Sequence, residues 1–203
     1  MRAACLAAAL LATGCVFRNA PEPRFFRPES AALDGRPVAS LVRPTPAVSP
    51  EAVASSGVPL RLRPVRGTPL LRERIVWRAS PVEYGLYEQR RWSELPASYV
   101  ERALESALRD TPGIRLTDEP RAAALGVEVV AFDEVLAPAR AAAVSLEVEL
   151  LDTTGRRILD RTFSAETPIE DETPAATARA MGSALDEAVA AVAAAAGAAL
   201  EGR

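Results

Sequence analysis

The tract Leu11-Ala12-Thr13-Gly14-Cys15 places a thiol behind small residues, and an apolar run from Ala3 to Leu11 precedes it. Met1-Arg2 supplies a short basic start. This is the layout of a secretory signal ending on a lipid-acceptor cysteine. The sulfur attacks a diacylglyceryl donor, and the small neighbours let a peptidase hold the backbone extended. The sequence therefore predicts a signal over 1–14 and a mature chain that begins at Cys15. That residue would carry diacylglycerol and an N-acyl group such as palmitate, with no other cofactor. The apolar run is well short of the ~20 residues that span a bilayer. Each buried methylene contributes about 0.8 kcal/mol, so two or three acyl chains anchor far more firmly than one. Val16 follows the cysteine instead of the aspartate that marks inner-membrane retention, so the expected location is the periplasmic face of the outer membrane.

The remaining reactive groups are sparse. The chain has no histidine, which removes the commonest general base and metal ligand. Its cysteines are Cys5 and Cys15; the first leaves with the signal and the second is alkylated, so no disulfide is expected. Ser183 follows a glycine but stands in no nucleophile elbow. Glu128, Asp133 and Glu134 offer carboxylates, but neighbours on a strand point to opposite faces and nothing singles out a pair. Glu170, Asp171 and Glu172 lack the alternating ligand pattern of a calcium loop and read as a solvated helix entry. No phosphate-binding glycine loop occurs, so the chain is not itself an ATPase. No catalytic residue and no metal site are expected.

The densest polar-aromatic cluster is Tyr84, Tyr87, Arg90, Arg91 and Trp92. Tyrosine, tryptophan and arginine dominate interface hot spots, so Tyr84, Tyr87, Arg91 and Trp92 are candidates for a partner or oligomer contact. The alternative is that Trp92 plugs the core at a strand-to-helix corner.

These groups must be held by a domain, and 203 residues with 49% hydrophobic content suffice for one core. The net charge of −3 gives no electrostatic case for nucleic acid or a polybasic membrane patch. Residues 15–57 are rich in Pro, Ala, Ser and Arg and read as a lipidated N-terminus and tether. About 40 such residues reach on the order of 100 Å at about 3.1 Å each. Phe25-Phe26 is the exception, an aromatic pair suited to docking on the domain as an extended segment. The domain is expected over 58–203. Alternating Leu60, Leu62 and Val65 predict a strand, and 73–78 with 82–87 predict a strand pair. Pro96 opens a helix over 95–109, with Val100, Ala103, Leu104, Ala107 and Leu108 on one face. After a short strand over 114–117, segments 125–134, 142–152 and 156–165 predict an antiparallel meander. Val144, Leu146, Val148 and Leu150 lie on its dry side and Ser145, Glu147 and Glu149 on its wet side. Thr173-Pro174 starts a long helix to about Leu200, with Met181, Leu185, Val189, Val192 and Ala196 as its apolar stripe. Its last part, from Ala188 on, is uncharged, as expected of a helix packed all round or joined to another subunit. The expected class is α/β: a mixed sheet with an antiparallel meander and two main helices, arranged as a sandwich.

The tract Glu73-Arg74-Ile75-Val76-Trp77-Arg78, the Tyr84 to Trp92 segment and Ser93-Glu94-Leu95-Pro96 resemble the ABC-type transport auxiliary lipoproteins, the PqiC-like family. The aromatic pair near the lipid cysteine, the hairpin turn at Asp152 to Gly155 and Ala180-Met181-Gly182-Ser183-Ala184-Leu185 are similar as well. The long proline-rich stretch between Phe26 and Val58 departs from the family pattern. The resemblance implies a helix-bearing α/β sandwich and non-enzymatic work beside an MCE-type ABC lipid or organic-solvent-resistance transporter. The implied partners are its substrate-binding protein, permease and ATPase, with homo-oligomer formation plausible. A lipoprotein supporting cell-wall synthesis or outer-membrane assembly is the alternative.

Overall fold

A computed structural model describes residues 21–37 and 57–202. Cys15 and the signal lie outside the described residues, as does most of the proline-rich segment. Among the described residues nine strands form one mixed sheet, and two helices pack on one side of it. In chain order these are β1 (Arg24–Phe26), β2 (Val58–Leu62), β3 (Arg66–Gly67), β4 (Arg74–Ser80) and β5 (Glu83–Trp92). Helix α1 (Pro96–Arg109) follows, then β6 (Ile114–Leu116), β7 (Ala123–Val135), β8 (Ala141–Leu151), β9 (Arg157–Pro168) and helix α2 (Pro174–Glu201).

Strand β7 is the spine. Along one edge it pairs with β8 in a long antiparallel ladder interrupted by one bulge, and β8 pairs likewise with β9. Along the other edge three short strands share it in turn, all parallel: β2 at Leu60–Leu62, β3 at Arg66–Gly67 and β4 at Val76–Arg78. Beyond β4 the sheet continues to β5 and then β1, and beyond β2 it ends at β6. The predicted mixed sheet and meander are both present.

The core forms where the predicted stripes meet. Val144, Leu146, Val148 and Leu150 are all at most 2% exposed. They face Met181, Leu185, Val189, Val192 and Ala196 of α2, every one fully buried. Burying such side chains contributes about 1.5–3 kcal/mol each. Helix α1 buries the five expected residues and also Tyr99. In β7 a bulge after Val129 resets the alternation, so Leu125, Val127 and Val129 are followed inward by Phe132. The β8–β9 turn is closed by Asp152, whose Oδ1 accepts from the Thr154 and Arg156 amides at 2.7 and 2.9 Å, and Gly155 takes φ +83°. Only a residue without Cβ adopts that angle freely.

Helix α2 is long and apolar enough to cross a membrane by composition. In this fold its inner side is core. Its uncharged end is not packed all round, because Ala191, Ala194 and Ala198 are exposed.

One boundary moves. Residues that composition assigns to the tether belong to the folded unit. Strand β1 pairs in parallel with β5, Phe26 opposite Trp92, and Phe26 packs against the core. The chain then crosses α2. The Glu29 amide donates to the Ala178 carbonyl at 3.1 Å, and the Asp186 carboxylate accepts from Ser30 Oγ, Ala31 N and Ala32 N at 2.5, 2.6 and 3.1 Å. Gly182 makes the crossing possible: a Cβ there would lie 1.8 Å from the Glu29 carbonyl oxygen. The strap formed by 24–36 is thus fastened to both the sheet and the helix.

Candidate functional site

The sequence-derived contact residues all lie on β5, and the fold divides them. Trp92 is 1% exposed, so it takes the core alternative. Its ring meets Phe132 edge-on at 5.4 Å and Tyr99 edge-on at 6.5 Å, while Tyr99 stacks on Phe132 at 6.4 Å. Offset and edge-to-face aromatic pairs add about 0.5–1.5 kcal/mol beyond area burial. Tyr99 also fixes the entry to α1: its hydroxyl bonds Ser93 Oγ at 2.8 Å and accepts from the Glu94 amide at 3.0 Å. Trp92 cannot meet a partner without unfolding this corner.

Tyr87 is half-buried on the helix-facing side. The Arg90 guanidinium lies 4.4 Å from its ring centre. Burial, reinforced by the Glu134 carboxylate, pushes its phenol above the ordinary value. Tyr84 and Arg91 are on the opposite, open face. Tyr84 is 50% exposed and sits opposite Arg78. Arg91 stands opposite both Arg74 and Phe25. With Arg74, Leu86, Leu70, Arg72 and Leu95 it lines an open groove.

Beneath β5 lies a charged pair that sequence reasoning left unassigned. Asp133 and Glu134 point to opposite faces of β7, as adjacent strand residues must, yet both are buried, at 2% and 0%. Asp133 accepts from Arg78 Nε at 2.8 Å. Burial raises its pKa, and Arg78 opposes that shift. On the helix side Glu134 holds Arg140 through both Nε, at 3.0 Å, and Nη2. Arg90 stands 3.8 Å from its second oxygen, and Thr177 of α2 is at 3.4 Å. The signal was present in Ala131-Phe132-Asp133-Glu134-Val135-Leu136: two acids inside an apolar run mean a strand covered on both faces, and buried charges must be paired. The arrangement clamps β4, β5, β7 and α2 together.

The acidic entry to α2 is open, with Glu170 and Glu172 at 85% and 91% side-chain exposure. Thr173 caps the helix by accepting from the Ala176 amide at 3.2 Å. Among the described residues no group of three or more His, Cys, Asp or Glu side chains is arranged to hold a metal. Ser183 is exposed on α2.

A family model described as the ABC-type transport auxiliary lipoprotein component matches residues 40–193. The chain belongs to that family. As an auxiliary transport lipoprotein its expected attachment is to a membrane and its expected association is with an ABC transport system. A family of that kind suggests a non-catalytic role. No curated protein matches the sequence. Among solved structures, protein XCC0632 from Xanthomonas campestris is 20% identical, with a TM-score of 0.69 over 88% of this chain and 98% of that one. The hypothetical protein CT253 from Chlamydia trachomatis is 7% identical, with a TM-score of 0.53 over 72% of this chain and 99% of that one. At these identities the auxiliary lipoprotein shares with them a fold.

Proposed function

We propose that this auxiliary lipoprotein is a non-enzymatic periplasmic subunit of an MCE-type ABC lipid-transport system, anchored in the outer membrane through acylated Cys15. The family match over 40–193 carries the reading, and the Leu11 to Cys15 tract agrees with it. Val16 after the cysteine supports the outer membrane over the inner. An anchored subunit replaces three-dimensional search by a high effective concentration beside its partners. Its contribution is to hold or bridge the periplasmic part of the transporter, which needs surfaces and a rigid core instead of a reactive centre. Tyr84 and Arg91, open on β5, are the sequence-derived residues available for such contacts.

Crosslinking in intact cells followed by purification of the native protein tests the proposal. The expected co-purifying proteins are an MCE substrate-binding protein, a permease and an ATPase, in the outer- and inner-membrane fractions joined by the crosslink. Recovery of cell-wall synthases or outer-membrane assembly factors in their place would overturn it.

A further inference from the structure

We infer that the lobe formed by β4, β5 and β1 rests on the phospholipid surface of the membrane that holds Cys15, an inference that depends on the proposed lipid anchor. The first observation is length. Strand β1 begins at Arg24, nine residues beyond Cys15. A fully extended chain of that length covers at most about 30 Å, at roughly 3.3–3.6 Å per residue. A folded unit of this size has a radius of gyration of about 15 Å. The leash is therefore no longer than the domain it holds. The strap is fastened at β5 and again at Asp186, so the leash lengthens only by breaking the β1–β5 pairing, and the second contact then stops it at Ser30.

The second observation is where apolar surface is exposed. Seven large apolar side chains among the described residues are exposed, and six lie on or beside this lobe: Phe25, Leu70, Val82, Tyr84, Leu86 and Leu95. Val82, at the tip of the β4–β5 turn, is 91% exposed. A concentration of this kind marks a contact surface, whereas scattered single residues do not.

The third observation is charge. The groove between Leu70, Leu86 and Leu95 is bordered by Arg72, Arg74 and Arg91 against a single acid, Glu73. Guanidinium groups bind phosphate oxygens in a planar, two-pronged manner, and every phospholipid headgroup presents a phosphate. The wet face of the meander carries both signs, with Arg63 and Arg157 on Glu149 at 2.9 and 3.0 Å. Glu128 stands opposite Glu147, and Glu149 opposite Asp160. The groove, with three guanidinium groups to one acid, is the more basic of the two faces and is the one an anionic bilayer attracts. A short tether supplies an effective concentration of about a millimolar, so even a weak surface contact stays occupied.

The test uses the full-length, acylated protein on vesicles of phosphatidylethanolamine and phosphatidylglycerol containing lipids brominated in the acyl chain. A fluorophore is attached at Val82→Cys in one sample and at Thr162→Cys on β9 in another. Quenching at position 82 should be severalfold greater than at 162. Reversing the groove charge with R72E and R74E together should remove most of that excess while thermal melting shows the fold intact. Equal quenching at the two positions, or more at 162, would overturn the inference. Mass spectrometry of the same sample separates the two failures. An acylated protein without the excess quenching overturns the membrane contact alone and leaves the lobe to a protein partner. An unacylated chain overturns the anchor and this inference with it.

Discussion

The two edges of strand β7 are built differently. On one side β8 and β9 form long, nearly unbroken antiparallel ladders. The inner residues of β8 are buried, and the outer face of the pair carries charges bridged by arginine, with Arg63 and Arg157 on Glu149 at 2.9 and 3.0 Å. On the other side the edge is shared by three short parallel strands, and the outermost pieces, β5 and β1, are set apart from β7 by β4. That side bears nearly all the exposed large apolar surface and receives the chain arriving from Cys15. The meander with α2 is a platform whose stability is local and regular. The hairpin lobe is a display, held by specific clamps: the Trp92 aromatic cluster, the Asp133 and Glu134 ion pairs, and the strap.

This contrast yields predictions that decrease in size. Trp92→Ala should have the largest effect, about 4 kcal/mol of lost stability in chemical denaturation, because it empties a fully buried indole site. A loss below about 1 kcal/mol would mean the lobe is not clamped by its aromatic cluster. Arg140→Met should cost about 3 kcal/mol, since it leaves the buried Glu134 carboxylate with Arg90 at 3.8 Å as its main counter-charge. Asp186→Ala removes the acceptor for three strap hydrogen bonds. It should cost about 2 kcal/mol, read as faster hydrogen exchange at Ala31 and Ala32 with the meander unchanged. Tyr84→Ala should alter stability by less than about 0.5 kcal/mol, because the side chain is half exposed. If it nonetheless abolishes co-purification of partners, the open face of β5 is a contact surface; unchanged recovery excludes Tyr84 from it.

Two carboxyl groups that border the lobe, Asp133 of β7 and Glu94 before α1, should show opposite pH dependence. Burial raises the folded-state pKa of Asp133 above its ordinary 3.8. The folded protein then holds a proton that the unfolded chain has released, so this group makes stability fall as pH rises through that window. Arg102 holds Glu94 below its ordinary 4.5, first through their hydrogen bond. The stability from Glu94 is present above 4.5 and is lost as pH falls through the lowered value. Denaturation of Asp133→Asn and Glu94→Gln between pH 3 and 6 should therefore change the pH slope in opposite directions. Changes of the same sign would contradict the assigned environments.

How much of this was legible in the sequence follows the same division. The meander and both helices could be read because each buries one regular stripe, with Leu146 or Leu185 recurring at the period of its element. The turn at Asp152 to Gly155 announced itself through residue types. The lobe was less legible because its order depends on distant partners. Asp133 and Glu134 are ordinary acids until Arg78 and Arg140 close on them from other elements. Gly182 and Asp186 look like a small and a polar position on a helix until the strap lies across them. Phe25-Phe26 did signal docking, but nothing in the following residues marked Ser30 to Ala32 as fastened to α2. Composition alone assigned them to a tether, and so gave the anchor a reach far longer than nine residues allow. Regular alternation from Leu125 would have turned Phe132 outward, and the bulge after Val129 is what turns it inward.

Mass spectrometry of the mature N-terminus, taken from purified cell membranes, tests the central claim most directly. The account predicts a chain that begins at Cys15 and carries a diacylglyceryl thioether with an amide-linked acyl chain. A mature chain with a free, unmodified amino terminus at any other residue would contradict it.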